Sequence, residues 1–401
     1  MRALARVELT GVPIDTVALD LLRKNWDAVR LRLVDELAGH YGIYQQGRFR
    51  TDRFEHWLAQ HGIAWPRTPT GKPRLDRDTL KGMVKIHPEV GGLKAARDIQ
   101  TQVRPEKIAV GRDGRHRYLA RPFATKTGRN QPSGQGYLFG LPAWLRALIL
   151  PPPGHAISHN DFVAQELGTA GALSGDSAMM AAYKSPDPHL GFAIQVGAAP
   201  QGATKETHGD VRRRFKAVNL GVLFGMGPTG LAARIGCTTE EAEHLLSLHR
   251  KNYSTFWSWI EGVVNQALFS GEITTVFGWR HKVGTNANPR SLMNFPMQAN
   301  AAEMLRIATI LATERGVKVC ALVHDSIVVE APIDEIDKAT GTTRQALEEA
   351  SEIVLGGFRL RVDVEIAHHP HRFPGGGGDM WRRVWRIIEE LEGQIPPGIL
   401  D

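Results

Sequence analysis

Two apolar runs that each carry an acid constrain this chain more than any other feature. The first is His155-Ala-Ile-Ser-His-Asn-Asp161, entered from the hard break Pro151-Pro-Pro-Gly154 and followed by Gln165-Glu166. The second is Val319-Cys-Ala-Leu-Val-His-Asp-Ser-Ile-Val-Val-Glu330, with Asp325 in its middle. A carboxylate inside such a run is costly unless something compensates its charge. Read as strands, the runs deliver Asp161 and Asp325 from separate parts of the chain. Two carboxylates so delivered can hold a pair of divalent cations for phosphoryl transfer. The plain alternative for each run alone is a strand ending in a tight turn.

Composition bounds the rest. The chain has 401 residues, 42% of them hydrophobic, and no apolar run long enough to span a bilayer. It can bury a sizeable core and should divide into two or three domains. The opening Met1-Arg-Ala-Leu-Ala-Arg-Val-Glu8 lacks an apolar signal core, so a cytoplasmic, nucleoid-associated protein is expected. Cys237 and Cys320 read as free thiols rather than a disulfide or a zinc site. Lys and Arg number 49 against 42 acids, a formal charge of +7, which favours a polyanionic partner.

Periodicity predicts a short extended piece over 3–15, then a helix capped by Asp15 or Thr16 and running to about Leu37. Helices near 54–61, 77–85 and 88–103 complete a helical arm. Residues 107–121 alternate like a hairpin turning at Gly111 and Asp113-Gly114, and 122–142 form a polar loop. After the Asp161 strand a helix runs through Leu173, 187–272 are mostly helical, and 273–283 form a hairpin. A helix at 296–316 leads into strands at 317–323 and 327–330. A helix at 333–355, a strand at 358–366 and a helix at 379–392 close the chain. Strands interrupted by a helical excursion make an α+β protein.

Arg212, Lys216, Leu220 and Phe224 are spaced four apart. On a helix they form one stripe, two cations and then two apolar groups, able to meet a nucleotide end-on. The plain alternative is a solvated charged face packed through Leu220 and Phe224. Gly225-Met-Gly-Pro-Thr-Gly230 formally fits the dinucleotide fingerprint, so an NAD-binding oxidoreductase is a rival, although no second apolar strand follows.

Three segments resemble the polymerase motifs of family A DNA polymerases. They are Asp161-Phe-Val-Ala-Gln-Glu-Leu167, Arg212-Arg-Arg-Phe-Lys-Ala-Val-Asn-Leu-Gly-Val-Leu-Phe-Gly225, and Val323-His-Asp-Ser-Ile-Val-Val-Glu-Ala-Pro332. Thr127-Gly-Arg129, Ser174-Gly-Asp176, Asp187-Pro-His189 and Asn294-Phe-Pro-Met-Gln298 match in the same order. The resemblance implies a right-hand architecture: palm at 1–15, 106–185 and 271–401, helical thumb at 16–105, fingers at 186–270. It implies two Mg²⁺ ions, replaceable by Mn²⁺, at Asp161, Asp325 and the main-chain carbonyl of Phe162. Arg212, Lys216 and His189 would meet the triphosphate of a deoxynucleotide, with Lys216 also catalytic. Leu220 and Phe224 would line its sugar and base, and Glu166 would exclude ribonucleotides. Arg129, Arg290, Asn294, Gln298 and His324 would hold primer–template DNA.

Departures accompany the match. Leu220 and Phe224 stand where the family commonly has an aromatic ring and a Tyr. Ser326 stands where an acid usually follows the catalytic Asp, and the 130–142 loop lacks the usual Asn- and Gln-rich stretch. The expectation is a monomeric, template-directed DNA polymerase without proofreading exonuclease, serving gap filling or lesion bypass. A degenerate homologue that only binds DNA is the alternative.

Overall fold

The structure, a computed structural model, describes residues 1–133 and 136–400. Gly134 and Gln135, within the 130–142 loop, lie outside them. The chain forms two compact units. One comprises Met1–Thr10, Leu119–Ser133 and Ile157–Glu365, the other Gly11–Tyr118, Gly134–Ala156 and Ile366–Asp401.

The first unit is built on a four-stranded sheet in the order Val319–Val323, Ser326–Pro332, His155–Phe162, Val362–His368. The first two strands form an antiparallel hairpin in which Val323 faces Ser326. Ser326–Pro332 is buried along nearly its whole length, as expected of an inner strand, and buries Ser326 and Glu330 with its apolar residues. The helices Pro289–Glu314 and Ile336–Val354 pack on each other and on the hairpin. Their shared core includes Phe162, Met304, Leu322, Ile327 and Leu347.

Two sequence expectations fail in this unit. Residues 3–10 are not extended: Arg2–Thr10 is a helix whose Val7 is buried in the sheet core. The apolar positions of so short a segment fit either period, and tertiary burial chose the helix. The long helix starts at Pro289 rather than Pro296 and runs through Pro296. Asn288 Oδ1 accepts from Arg290 N at 3.0 Å and Pro289 fills the first turn, so the start is well made. Asn300 Nδ2 donates to Pro296 O at 2.8 Å, a side-chain bond beside the proline.

Six helices from Ser177 to Ser270 form the helical excursion around Phe192, Phe215, Val222, Leu245 and Phe256. Their starts are chemically specified. Asp176 caps Ser177–Lys184, Asp187 caps Pro188–Gln195, and Thr238 with Glu241 makes a capping box for Thr239–Asn252.

In the second unit Asp15 caps Thr16–Ala38, its Oδ1 2.9 Å from Ala18 N. Its other oxygen takes Arg372 Nη2 at 2.8 Å, with both side chains largely buried. Phe54, Trp57, Trp65 and Tyr41 fill the core beneath Gly91–Gln102. The turn expected at Gly111–Gly114 forms, with Gly111 N donating to Arg115 O at 2.9 Å. Its arms do not extend into a long hairpin, because Arg115–His116 pairs with Val12–Pro13. In the first unit, Leu119–Arg121 pairs with Gln131–Ser133, a strand within the expected polar loop.

Candidate active site

Alternation along His155–Phe162 sends Phe162 and Asn160 into the interior and leaves His159 and Asp161 half-buried on the opposite face. Asn160 Nδ2 donates to Ser158 Oγ at 2.7 Å and Ile327 O at 3.3 Å, tying this strand to its neighbour. Asp325 occupies the two-residue turn between Val319–Val323 and Ser326–Pro332, after His324 at φ +56. A non-glycine residue in the left-handed region is strained and must be held by its surroundings. Because Ser326–Pro332 neighbours the Asp161 strand, the turn brings Asp325 beside Asp161.

The pair is electrostatically unfavourable by itself. Burial, then the adjacent Asp325 carboxylate, raise the Asp161 pKa, and Asp363 and Glu166 add to the push. Burial and Glu166 raise Asp325, against lowering by Arg129 and His324. Asp161 Oδ1 is buried without a hydrogen-bond partner. Two acids that resist ionising, one with an orphaned oxygen, fit a divalent cation, which would relieve all three penalties. Among the described residues no group of three or more His, Cys, Asp or Glu gathers to ligate a metal. The two carboxylates would therefore need other oxygens, such as the Phe162 carbonyl, water and phosphate, which suits Mg²⁺.

A second cluster forms on Gly209–Leu223. Arg212 pairs through Nε with Asp187 Oδ2. Asp187 also caps the next helix, accepting from His189 N and Leu190 N at 3.0 Å. His189 is buried, and Asn219 Nδ2 lies 3.2 Å from its Nδ1. Burial, with the Lys216 and Arg212 charges and against that of Asp187, lowers its pKa to about 4. Lys216 is exposed. The structure thus brings Arg212, Lys216 and His189 together, with His189 neutral and Arg212 already engaged. Phe224 follows Leu223 as the helix C-cap, its N–H still bonded to Leu220 O at 3.0 Å, and it is 42% exposed. Leu220 stays on the helix, half-buried.

Phe224, Arg290, Asn294 and Gln298 instead line one cleft of about 370 Å³, together with Lys126 and His281. Asn294 Nδ2 donates to Leu223 O at 3.1 Å. Arg129 and His324 are not in that cleft; their charges act on Asp325. The segment 225–230 joins the helices Gly209–Leu223 and Pro228–Ile235. No strand precedes it, so the dinucleotide fingerprint lacks its strand–turn–helix frame.

Sequence reasoning missed Asp363, the hold of Asp187 on Arg212, and the row that joins Ser326 to His159 and Glu365. His159 Nε2 lies 2.8 Å from Ser326 Oγ and its Nδ1 3.9 Å from Glu365 Oε2. The signal for Asp363 was the alternation Val362-Asp-Val-Glu365, which puts both acids on one strand face.

The family model for DNA polymerase family A matches residues 141–371. Thermostable DNA polymerase I of Thermus thermophilus is 27% identical over 394 residues, covering 91% of this chain and 46% of that protein. DNA polymerase I of Lactococcus lactis subsp. lactis is 26% identical over 390 residues, covering 90% and 43%. The chain thus spans about half the length of the curated relatives it matches. A solved structure, the POL domain of Pol1 from M. smegmatis in complex with DNA primer-template and dNTP, matches with a TM-score of 0.77 at 22% identity. It covers 94% of this chain and 69% of that one, and the likeness is one of fold. Among the described residues no helix is long and apolar enough to cross a membrane.

Proposed function

The chain belongs to DNA polymerase family A, and on that premise we propose that it adds deoxynucleotides to a primer 3′-hydroxyl under the direction of a DNA template. The observation that carries this reading is the half-buried pair Asp161 and Asp325, one on a strand and the other in the turn at the end of the neighbouring strand, with one Asp161 oxygen unpartnered. Two Mg²⁺ ions held by these acids and the Phe162 carbonyl would supply charge neutralisation at the reacting phosphate and acidify the primer hydroxyl. The other roles belong to the chain's own residues. Lys216 and Arg212 bind the triphosphate, and neutral His189 offers it a hydrogen bond. Glu166, beside both acids, crowds the ribose 2′-position. Leu220 and Phe224 meet sugar and base. Arg290, Asn294 and Gln298 hold the duplex end in their cleft, with Arg129 and His324 nearer Asp325.

In this reading the helices from 186 to 270 act as fingers, the sheet at 106–185 and 271–401 with 1–15 as palm, and 16–105 as thumb. The protein works as a monomer. Its proposed role is gap filling or lesion bypass, a setting that tolerates the loss of an acid at Ser326 and of a ring at Leu220.

Primer extension with Mg²⁺ and four deoxynucleotides tests the reading. Wild type should extend, and Asp161→Ala and Asp325→Ala should each lose at least about a thousandfold in rate, the scale of removing a principal electrostatic stabiliser. Salt-sensitive DNA binding without extension would leave the protein a DNA-binding homologue only. For the role, short gaps should be filled faster than long single-stranded templates are copied.

A further inference from the structure

Ser326 is 2% exposed and sits at the base of the Asp325 turn. Its hydroxyl donates to Val323 O at 2.8 Å, and His159 Nε2 lies 2.8 Å from Ser326 Oγ. A hydroxyl has one hydrogen. It goes to the Val323 carbonyl, so His159 is the donor to Ser326. This chain of two bonds crosses from the Asp161 strand to the Asp325 turn. His159 is two residues before Asp161 and therefore on the same face of the strand.

The neighbouring strand extends the pattern. Val163 N donates to Arg361 O at 2.9 Å and His369 N to His155 O at 3.1 Å. That antiparallel register sets Asp161 opposite Asp363 and His159 opposite Glu365. Glu365 Oε2 lies 3.9 Å from His159 Nδ1. Two rows result: an acidic one, Asp325–Asp161–Asp363, and beside it a bridging one, Ser326–His159–Glu365.

We infer that His159 and Ser326 are positioning residues that clamp the strained Asp325 turn at a fixed separation from Asp161. The acidic pair repels itself, and His324 holds a left-handed backbone. Without a clamp the turn would relax away and the two acids would lose the spacing a shared cation requires. Ser326, standing where the family usually has an acid, thereby supplies geometry through a hydrogen bond instead of an extra charge. This inference rests on the proposed polymerase reading for its purpose, but not for its structural content.

The test uses the DNA-free protein, with Mn²⁺ binding followed by electron paramagnetic resonance, so no turnover is needed. His159→Phe keeps the ring but removes the donor, and Ser326→Ala removes the bridge. Each should raise the half-saturating Mn²⁺ concentration about tenfold, in line with loss of an outer partner of a metal ligand. The double variant should be no worse than either single, because both break one clamp. His159→Gln, which retains a donor, should recover most of the affinity. Independent additive losses, or unchanged midpoints in folded variants, overturn the inference. Urea unfolding without cation gives the second arm: wild type, His159→Phe, Ser326→Ala and their double variant must show coupled midpoints there, and additive midpoints overturn the clamp whatever the enzyme does. A wild type that fails to extend primers yet shows that coupling sinks the polymerase reading and leaves the clamp standing.

Discussion

Lys216 and Arg212 are a turn apart on one helix face, yet their surroundings make them different instruments. Arg212 is bound to Asp187, which also caps a helix start, whereas Lys216 projects into solvent. Lys216→Ala should leave the thermal midpoint within about 1 °C of wild type, as surface changes usually do. It should lower kcat/KM for deoxynucleotides at least about tenfold. Arg212→Ala should lower kcat/KM and the thermal midpoint together, because it strands the partly buried Asp187 carboxylate, at a cost of about 1–3 kcal/mol. Equal midpoints for the two variants would refute the distinction. Gly225 gives a sharper steric case. It sits at φ +65, and a Cβ there would lie 2.8 Å from Arg290 Cβ and 3.1 Å from its Cα. Gly225→Ala should cost about 1–3 kcal/mol in urea unfolding. The stripe Arg212, Lys216, Leu220 was readable from its spacing. The claim of Asp187 on Arg212 was not, since it depends on how two helices pack.

The helix start read at Asp15 forms with Asp15 as its cap. Asp176, Asp187 and Thr238 cap helices in the same way, although the sequence reading did not single them out as caps. Val319–Val323 is a short apolar run between turns and forms a strand, as its sequence suggested. Legibility failed where a remote partner decides. Arg2–Thr10 is helical because Val7 finds the sheet core, and Pro289–Glu314 survives Pro296. Asn300 lies one turn beyond that proline. It is 2% exposed, donates to Pro296 O at 2.8 Å, and accepts from Val276 N at 3.0 Å. It therefore ties the helix to the 272–282 hairpin. Asn300→Leu would leave the Val276 N–H unpaired and should destabilise by about 1–3 kcal/mol. Proteolytic cleavage near Val276 should rise with it, and a variant that loses stability without any change there would disprove the tie.

At the scale of the whole molecule, the α+β class was readable from the order of elements, and the polymerase fold from the ordered motifs. What no local pattern revealed is how the fold treats its buried histidines. Trp257 Nε1, which can only donate, lies 3.1 Å from His249 Nδ1. Asn219 Nδ2 faces His189 Nδ1, and Leu138 N faces His116 Nε2 at 3.4 Å. Each ring nitrogen must accept, so protonation would set one N–H against another. Burial lowers all three pKa values, to about 4 for His189 and about 3 for His249. The sign follows: below about pH 6.5 the unfolded chain takes up protons that the folded protein refuses. Stability is therefore complete above pH 6.5, and falls as pH drops toward the folded values. For His249 the loss between pH 6.5 and 5.0 is about 2 kcal/mol, at about 1.4 kcal/mol per pH unit. Asp161 and Asp325 work in the opposite direction, since their raised pKa values favour the folded state as acid neutralises them. The net acid response of wild type is thus a difference of terms, and comparison with a variant isolates one of them. His249→Gln should be less stable than wild type at pH 7.5, yet its further loss on going to pH 5.0 should be smaller by about 2 kcal/mol. Urea unfolding followed by tryptophan fluorescence at the two pH values reads this directly. Parallel losses in the two proteins would mean that His249 titrates normally in the fold and that its bond from Trp257 does not hold it neutral.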